Sequence, residues 1–274
     1  MPSAYWSESL AERYRRYRYQ FPANTLAGRT IVVAGGTGGL GGAVVARLAH
    51  EGARLVVGYR GNLERAEVLD RAMADQFGAD IRYVQGDVAD AAVRRSYLAT
   101  VETTGAPLYG AVILPGDPAR VAFEELDGEA MEASLRANYT GPLLLAKELG
   151  AAIEAGGEDG SIALFATMQA LATFPSSLNY APPKAALVHA ARVLAQQWRH
   201  VRVNVVAPGA TVTGMAEASV QSGKYDPFVA KGAIARFGRP EDVARAVRFF
   251  LEPDNYITGQ VLVVDGGLTL RRDA

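Results

Sequence analysis

Tyr180 and Lys184 stand four residues apart in Tyr180-Ala181-Pro182-Pro183-Lys184, so on a helix their side chains leave one face about a turn from each other. A free phenol titrates near about 10, and a neighbouring ammonium favours the phenolate, bringing the group toward the value wanted for proton transfer near neutral pH. A lysine placed there could also reach the ribose of a bound nucleotide. By itself the pair is weak, because Tyr-x-x-x-Lys recurs in many solvated helices. Pro182 and Pro183 fit only near a helix start, where amides lack intrahelical partners, so the helix is expected to begin within a few residues of Tyr180.

A nucleotide site is suggested by Ala34-Gly35-Gly36-Thr37-Gly38-Gly39-Leu40-Gly41. Glycines fall where the backbone must turn sharply or let a pyrophosphate come close, and the exposed amides of a following helix would hold the anion. Gly35, Thr37, Gly39, Leu40 and Gly41 are the candidates. The run follows a strand and opens a helix with Leu40, Val44 and Leu48 on one face, the context such a turn requires. An acidic residue at the tip of the second strand would bond the adenosine ribose and repel a 2′-phosphate. Here the tip reads Gly58-Tyr59-Arg60. Arg60 can offer a planar fork to a phosphate, which favours NADP over NAD; a solvated surface arginine is the alternative.

Other chemistries find little support. There is no Cys, and the 3 histidines, His50, His189 and His200, lie far apart, so no metal site is expected. Lys and Arg number 28 against 29 Asp and Glu, a net charge of −1, which leaves no basic field for a nucleic-acid partner. No apolar run approaches the roughly 20 residues of a membrane span, and the N-terminus lacks the apolar stretch of a signal peptide, so no membrane partner and a cytoplasmic location are expected. Hydrophobic residues at 49% and charged residues at 21% are those of a folded globular chain.

The elements that must position these residues alternate. Ile31–Ala34, Arg54–Tyr59, Ile81–Val84, Ala111–Leu114, Ser161–Phe165, Arg202–Val206 and Val261–Val264 read as buried strands, with helices such as Leu40–Ala53 and Leu63–Phe77 between them. Strand-helix alternation predicts an α/β fold, a Rossmann-type doubly wound parallel sheet with helices on both faces, over residues 29–274. Residues 1–28 differ in character. Trp6, Leu10, Tyr14, Tyr17 and Phe21 recur at helical spacing, and Ser9 with Glu12 could form a capping box, so an amphipathic helix packed on the domain or on a partner subunit is expected.

Taken together these motifs resemble the short-chain dehydrogenase/reductase family over about residues 28 to 270. The family's glycine motif is similar to Gly35, Gly39 and Gly41, with Ala34 in the usual threonine place. Its acidic residue after the third strand resembles Asp87, followed by Val88, and its catalytic asparagine resembles Asn138 in Asn138-Tyr139-Thr140-Gly141-Pro142. Its Tyr and Lys match Tyr180 and Lys184. The loop Pro208-Gly209 with Thr211 and Thr213 resembles the segment touching the nicotinamide amide and phosphates, and Gly238–Asp242 and Thr258–Gly267 complete the match.

The resemblance implies hydride transfer between a nicotinamide and a carbonyl or alcohol carbon of a small-molecule ketone or alcohol. Tyr180 would exchange the proton, Lys184 would tune it and hold the ribose, and Asn138 would anchor a relay water. It also implies a homotetramer or homodimer. Three departures stand out. The usual serine is Thr167, whose methyl stiffens χ1 and narrows the pocket while its hydroxyl can still bond a carbonyl oxygen. The Asn-Asn-Ala-Gly segment reads Ile113-Leu114-Pro115-Gly116, so only Gly116 remains. The third is the proline pair beside Tyr180. A dehydratase, cyclase or isomerase using the same proton donor, or an inactive nucleotide-binding protein, are the competing expectations. Met168, Gln169, Phe174, Met215, Tyr225 and Phe228 are expected to line the substrate pocket and, with few fixed charges among them, to suit a hydrophobic or aromatic ketone rather than a small charged acid, under a lid spanning residues 213–235.

Overall fold

The β-branched run from Thr30 to Ala34 forms β1 in a computed structural model that describes residues 6–17, 23–174 and 177–271. After α1 (Glu8–Arg15), strands and helices alternate: β1, α2 (Gly39–His50), β2 (Arg54–Tyr59), α3 (Leu63–Phe77), β3 (Ile81–Gln85), α4 (Ala91–Glu102) and β4 (Leu108–Ile113). The second half runs α5 (Gly128–Leu135), α6 (Gly141–Gly156), β5 (Gly160–Phe165), α7 (Ala181–Gln197), β6 (Val201–Pro208), α8 (Glu217–Gln221), α9 (Asp226–Ala230), α10 (Pro240–Leu251), β7 (Val261–Val264) and α11 (Leu268–Arg271). Seven parallel strands make one sheet in the order β3-β2-β1-β4-β5-β6-β7.

Both faces of the sheet are covered, as the continuous apolar strands require. Side chains alternate between two cores: Ile31, Val33, Leu55, Val57, Val112, Ala163 and Phe165 pack on one side, while Val32, Ala34, Val56, Ala111, Ile113, Ile162 and Leu164 pack on the other. Each fully buried Val, Leu or Ile contributes roughly 1.5–3 kcal/mol by leaving water, so the sheet rather than any single contact stabilises the fold. The chain reverses its winding between β1 and β4, and the crevice above their C-terminal ends is where doubly wound sheets bind ligands.

Several boundaries differ from expectation. β4 starts at Leu108 rather than Ala111, and its Gly110 packs closely on the next strand: a Cβ there would lie 2.8 Å from the carbonyl oxygen of Ser161. α2 stops at His50, and Gly52 at φ 77° turns the chain into β2.

The front helix is shorter than its aromatic spacing predicts. α1 ends at Arg15, and Tyr17 follows at φ 53°, so Tyr17 does not continue the stripe. Trp6 precedes the helix, with its indole N–H donated to Glu8 at 2.8 Å. Ser9 lies inside the helix rather than capping it, and Glu12 pairs instead with Arg15 and Arg16. Trp6, Tyr14 and Tyr17 are exposed. The side chain of Leu10, and Phe21 altogether, lie outside the described residues. No helix among the described residues is long and apolar enough to cross a membrane.

Candidate functional site

The glycine turn sits directly beyond β1. Gly35 adopts φ 75°, a conformation open to glycine, and the amide of Gly36 reaches the carbonyl of Gly58 on β2 at 3.0 Å. Three of the glycines are needed for space. A Cβ at Gly36 would meet Val57 at 2.7 Å, one at Gly41 would run into the Gly35 carbonyl oxygen, and one at Gly39 would run into the Thr213 hydroxyl. The N-cap of α2 is Gly38, which gives no side-chain hydrogen bond, and no Asp or Glu occupies the first turn. An uncapped positive helix end framed by close backbone is the arrangement a pyrophosphate requires.

Across the crevice, α7 opens at Ala181 with Tyr180 as its N-cap residue, as the two prolines require. Lys184 is 1% exposed, and its Nζ donates to the carbonyl of Phe165 at 3.0 Å and of Pro115 at 3.3 Å. It thus ties together the C-terminal ends of β5 and β4. Burial lowers its ammonium to about 7, because the low-dielectric interior disfavours the charged form. Tyr180 is half-buried. Desolvation pushes its phenol above the usual value, a hydrogen bond with Thr167 pulls the other way, and Tyr225 and Asp117 add to the rise. The sequence-based expectation of a phenol made acidic by Lys184 is corrected here: the ammonium is turned toward two backbone carbonyls, and desolvation dominates both groups.

Asn138 lies behind this pair, fully buried in a π-helical turn, Arg136–Thr140, that joins α5 to α6. Pro142 explains the turn. Its ring would collide with the carbonyl of residue 138 in an unbroken α-helix, so the backbone widens there. Asn138 accepts the amide of Asp117 at 3.0 Å, and its Nδ2 donates to the Asp117 carbonyl at 3.0 Å and the Ser134 hydroxyl at 3.2 Å. A Cβ at Gly116 would stand 2.7 Å from Asn138 Oδ1 and 3.0 Å from Lys184 Nζ, so the surviving glycine of the fourth-strand segment is fixed by close packing.

A cleft of about 330 Å³ joins these groups. Gly35, Gly39, Leu40, Gly41, Gly116, Thr167, Tyr180, Lys184, Pro208, Gly209, Thr211 and Thr213 all line it. Thr37, Arg60, Asp87, Val88 and Asn138 do not. Arg60 is exposed at the end of β2; exposed Asp87 accepts the amide of Ala89 at 2.8 Å; and the Val88 carbonyl accepts from Arg94 at 3.0 Å. Met168, Gln169, Met215 and Tyr225 line the cleft as expected, but Phe174 and Phe228 pack against a small third core with Ala233 and Leu268 instead. Arg120, Ser219 and Lys224 also line it. Nothing in their local sequence marks them, since they are brought in by the loop after β4, by α8 and by the turn that follows it, with no motif of their own.

Comparison with known proteins agrees with this geometry. Residues 34–269 match a family model described as enoyl-(acyl carrier protein) reductase. The chain is 32% identical over 243 residues to a 3-oxoacyl-[acyl-carrier-protein] reductase of Aggregatibacter actinomycetemcomitans, covering 87% of this chain and 98% of that protein. It is 32% identical over 258 residues to 2-(S)-hydroxypropyl-CoM dehydrogenase 3 of Xanthobacter autotrophicus, covering 90% and 99%. A solved short-chain type dehydrogenase/reductase from Mycobacterium ulcerans superposes with a TM-score of 0.84 at 27% identity, over 90% of this chain and 92% of that one. With its parallel sheet, its glycine turn and these relatives, the chain belongs to the short-chain dehydrogenase/reductase family of oxidoreductases, whose members use nicotinamide cofactors on small-molecule substrates.

Proposed function

We propose that this protein is an NADP(H)-dependent carbonyl reductase, interconverting a ketone and its alcohol on a substrate with a hydrophobic or aromatic body. The observation that carries the reading is that Tyr180, Thr167 and Lys184 share one cleft with an uncapped glycine turn. When bound, the nicotinamide dinucleotide supplies or accepts the hydride. The amides around Gly35, Thr37, Gly39, Leu40 and Gly41 would hold its pyrophosphate, Asp87 and Val88 its adenine end, and Gly116, Pro208, Gly209, Thr211, Thr213 and Lys184 its nicotinamide end.

The proton belongs to the chain. Tyr180 Oη donates to the carbonyl oxygen as negative charge builds there, and the Thr167 hydroxyl gives that oxygen a second hydrogen bond. Desolvation holds the phenol above its usual value, so it is protonated near neutral pH and can donate. Asn138 holds the Gly116–Asp117 backbone and retains one Oδ1 lone pair for a relay water. In the assay that decides the matter, purified protein consumes NADPH on addition of aliphatic and aromatic ketones. No absorbance change beyond the protein-free rate with any of them sinks the reading.

Cofactor choice rests on Arg60. With no carboxylate at the β2 tip, its guanidinium is available to a 2′-phosphate. Arg60→Glu is therefore expected to raise KM for NADPH at least about tenfold, the cost of one charged hydrogen bond, and to leave KM for NADH nearly unchanged. Equal changes for both cofactors would place the phosphate contact elsewhere.

A further inference from the structure

The charged side chains that line the cleft are cations, although Asp117, between the lining residues Gly116 and Pro118, is near enough to act on Tyr180. These cations are Arg120, Lys184 and Lys224, and no Asp or Glu lines the cleft. Lys184 is accounted for by its two carbonyls. Arg120, in the loop after β4, reaches across to the segment between β6 and α9, where its Nη2 donates to the Met215 carbonyl at 2.8 Å and lies 3.4 Å from the Ser219 hydroxyl. Its Nε and Nη1 donors make no hydrogen bond among the described residues. Lys224, between α8 and α9, lays its ammonium 5.9 Å from the ring centroid of Tyr225. The Tyr225 phenol is bonded to Gln169 and feels the Arg120 guanidinium, so both cations gather about one buried aromatic residue at the lip of the site. Among the described residues neither forms an ion pair.

Some cations elsewhere in the chain are paired, among them Arg47 with Glu51, the buried Arg94 with Glu148, and Arg236 and Arg245 with Asp242. Two unpaired cations on the rim of an otherwise apolar cleft focus a positive field into it, because the low-dielectric wall screens little. A wholly neutral ketone makes no use of that field. An anion does, and a guanidinium with donors to spare is suited to a carboxylate or phosphate fork.

We propose that the substrate carries an anionic group at the end away from the reacting carbonyl, held by Arg120 and Lys224, with the apolar wall around Met168 and Met215 taking the body between. This deepens the carbonyl-reductase reading and rests on it. The lid segment then has a recognition role: the substrate anion meets Arg120, which already bridges the β4 loop to the lid.

The test is steady-state kinetics with para-acetylbenzoate against its methyl ester, and straight-chain keto acids of several lengths against theirs. Wild-type protein should favour the acids in kcat/KM, with a preference that shrinks as salt rises. Arg120→Gln and Lys224→Gln should each raise KM for the best acid about tenfold while moving its ester less than about twofold, and Arg120→Lys should recover part of the loss. Lys224→Gln breaks no hydrogen bond in the structure, so it carries the test if Arg120→Gln disturbs the lid. Esters used as well as acids, with variants that leave the ratio unchanged, overturn the proposal and leave the reductase standing. So does a rise in KM for NADPH in place of the acid, which would mean that the anion read is the cofactor's own phosphate. If no ketone at all draws NADPH consumption, the reductase reading fails and this one with it.

Discussion

Tyr180→Phe should lower kcat about a thousandfold and leave dinucleotide affinity within a few-fold of wild type, the loss expected when a positioned proton donor is removed. The ring stays, so the N-cap position of α7 and the packing beside Tyr225 are kept, and only the hydroxyl disappears. Thr167 remains to bond the carbonyl oxygen, but it cannot replace the donor, because a hydroxyl of an aliphatic alcohol is far less acidic than a phenol. The glycine turn is untouched, which is why binding should survive. Calorimetric titration with NADP and the reductase assay, run on the same preparation, separate the two effects. A variant that turns over at the wild-type rate would exclude Tyr180 as the acid, and one that no longer binds the dinucleotide would make it a structural residue.

Lys184→Met is expected to abolish most activity and, more unusually, to change how stability depends on pH. The ammonium clamps the Pro115 and Phe165 carbonyls where β4 and β5 end, one turn from Tyr180. Losing a preorganised cation at a site of developing negative charge typically costs about a hundredfold or more in kcat. The stability argument follows from burial. The folded lysine titrates at about 7, against 10.5 for a free one. Between those values the unfolded chain binds more protons than the folded one, so stability rises with pH across that window, by up to about 1.4 kcal/mol per unit, and flattens below it. The methionine variant lacks this contribution. Urea denaturation of both proteins over a pH series should therefore show wild type gaining on the variant from near neutrality upward; parallel curves would mean that Lys184 is neither so buried nor so depressed.

Particular residues show where reading the chain succeeds. The strands were legible because β-branched runs such as Ile31-Val32-Val33 cannot sit easily in anything but a pleated, doubly covered sheet. The start of α7 was legible because consecutive prolines leave a single place for themselves. The start of β4 was not legible, since Leu108–Gly110 belong to the strand with Gly110 packed against the Ser161 carbonyl of its neighbour, a contact between strands. The front helix was legible in part, since α1 forms over Glu8–Arg15 and is shorter than the aromatic stripe. A stripe of aromatic residues states a periodicity, but whether a face is covered depends on what lies opposite, and Trp6 and Tyr17 stand in solvent. Phe174 and Phe228 were legible as apolar and not as members of the third core.

The order of elements, the glycine turn and the one-turn spacing of Tyr180 and Lys184 at the start of α7 were determined by the sequence, because each rests on local sterics or on spacing along one helix. The sign of the charge lining the cleft, the depressed ammonium of Lys184 and the buried anchoring of Asn138 were decided only in the tertiary structure. Arg120 and Lys224 are 104 residues apart in the chain and come near one tyrosine through the winding of the sheet and the fold of the segment between β6 and α10. Dielectric surroundings and convergence of distant side chains are properties of packing, and no stretch of contiguous residues encodes them.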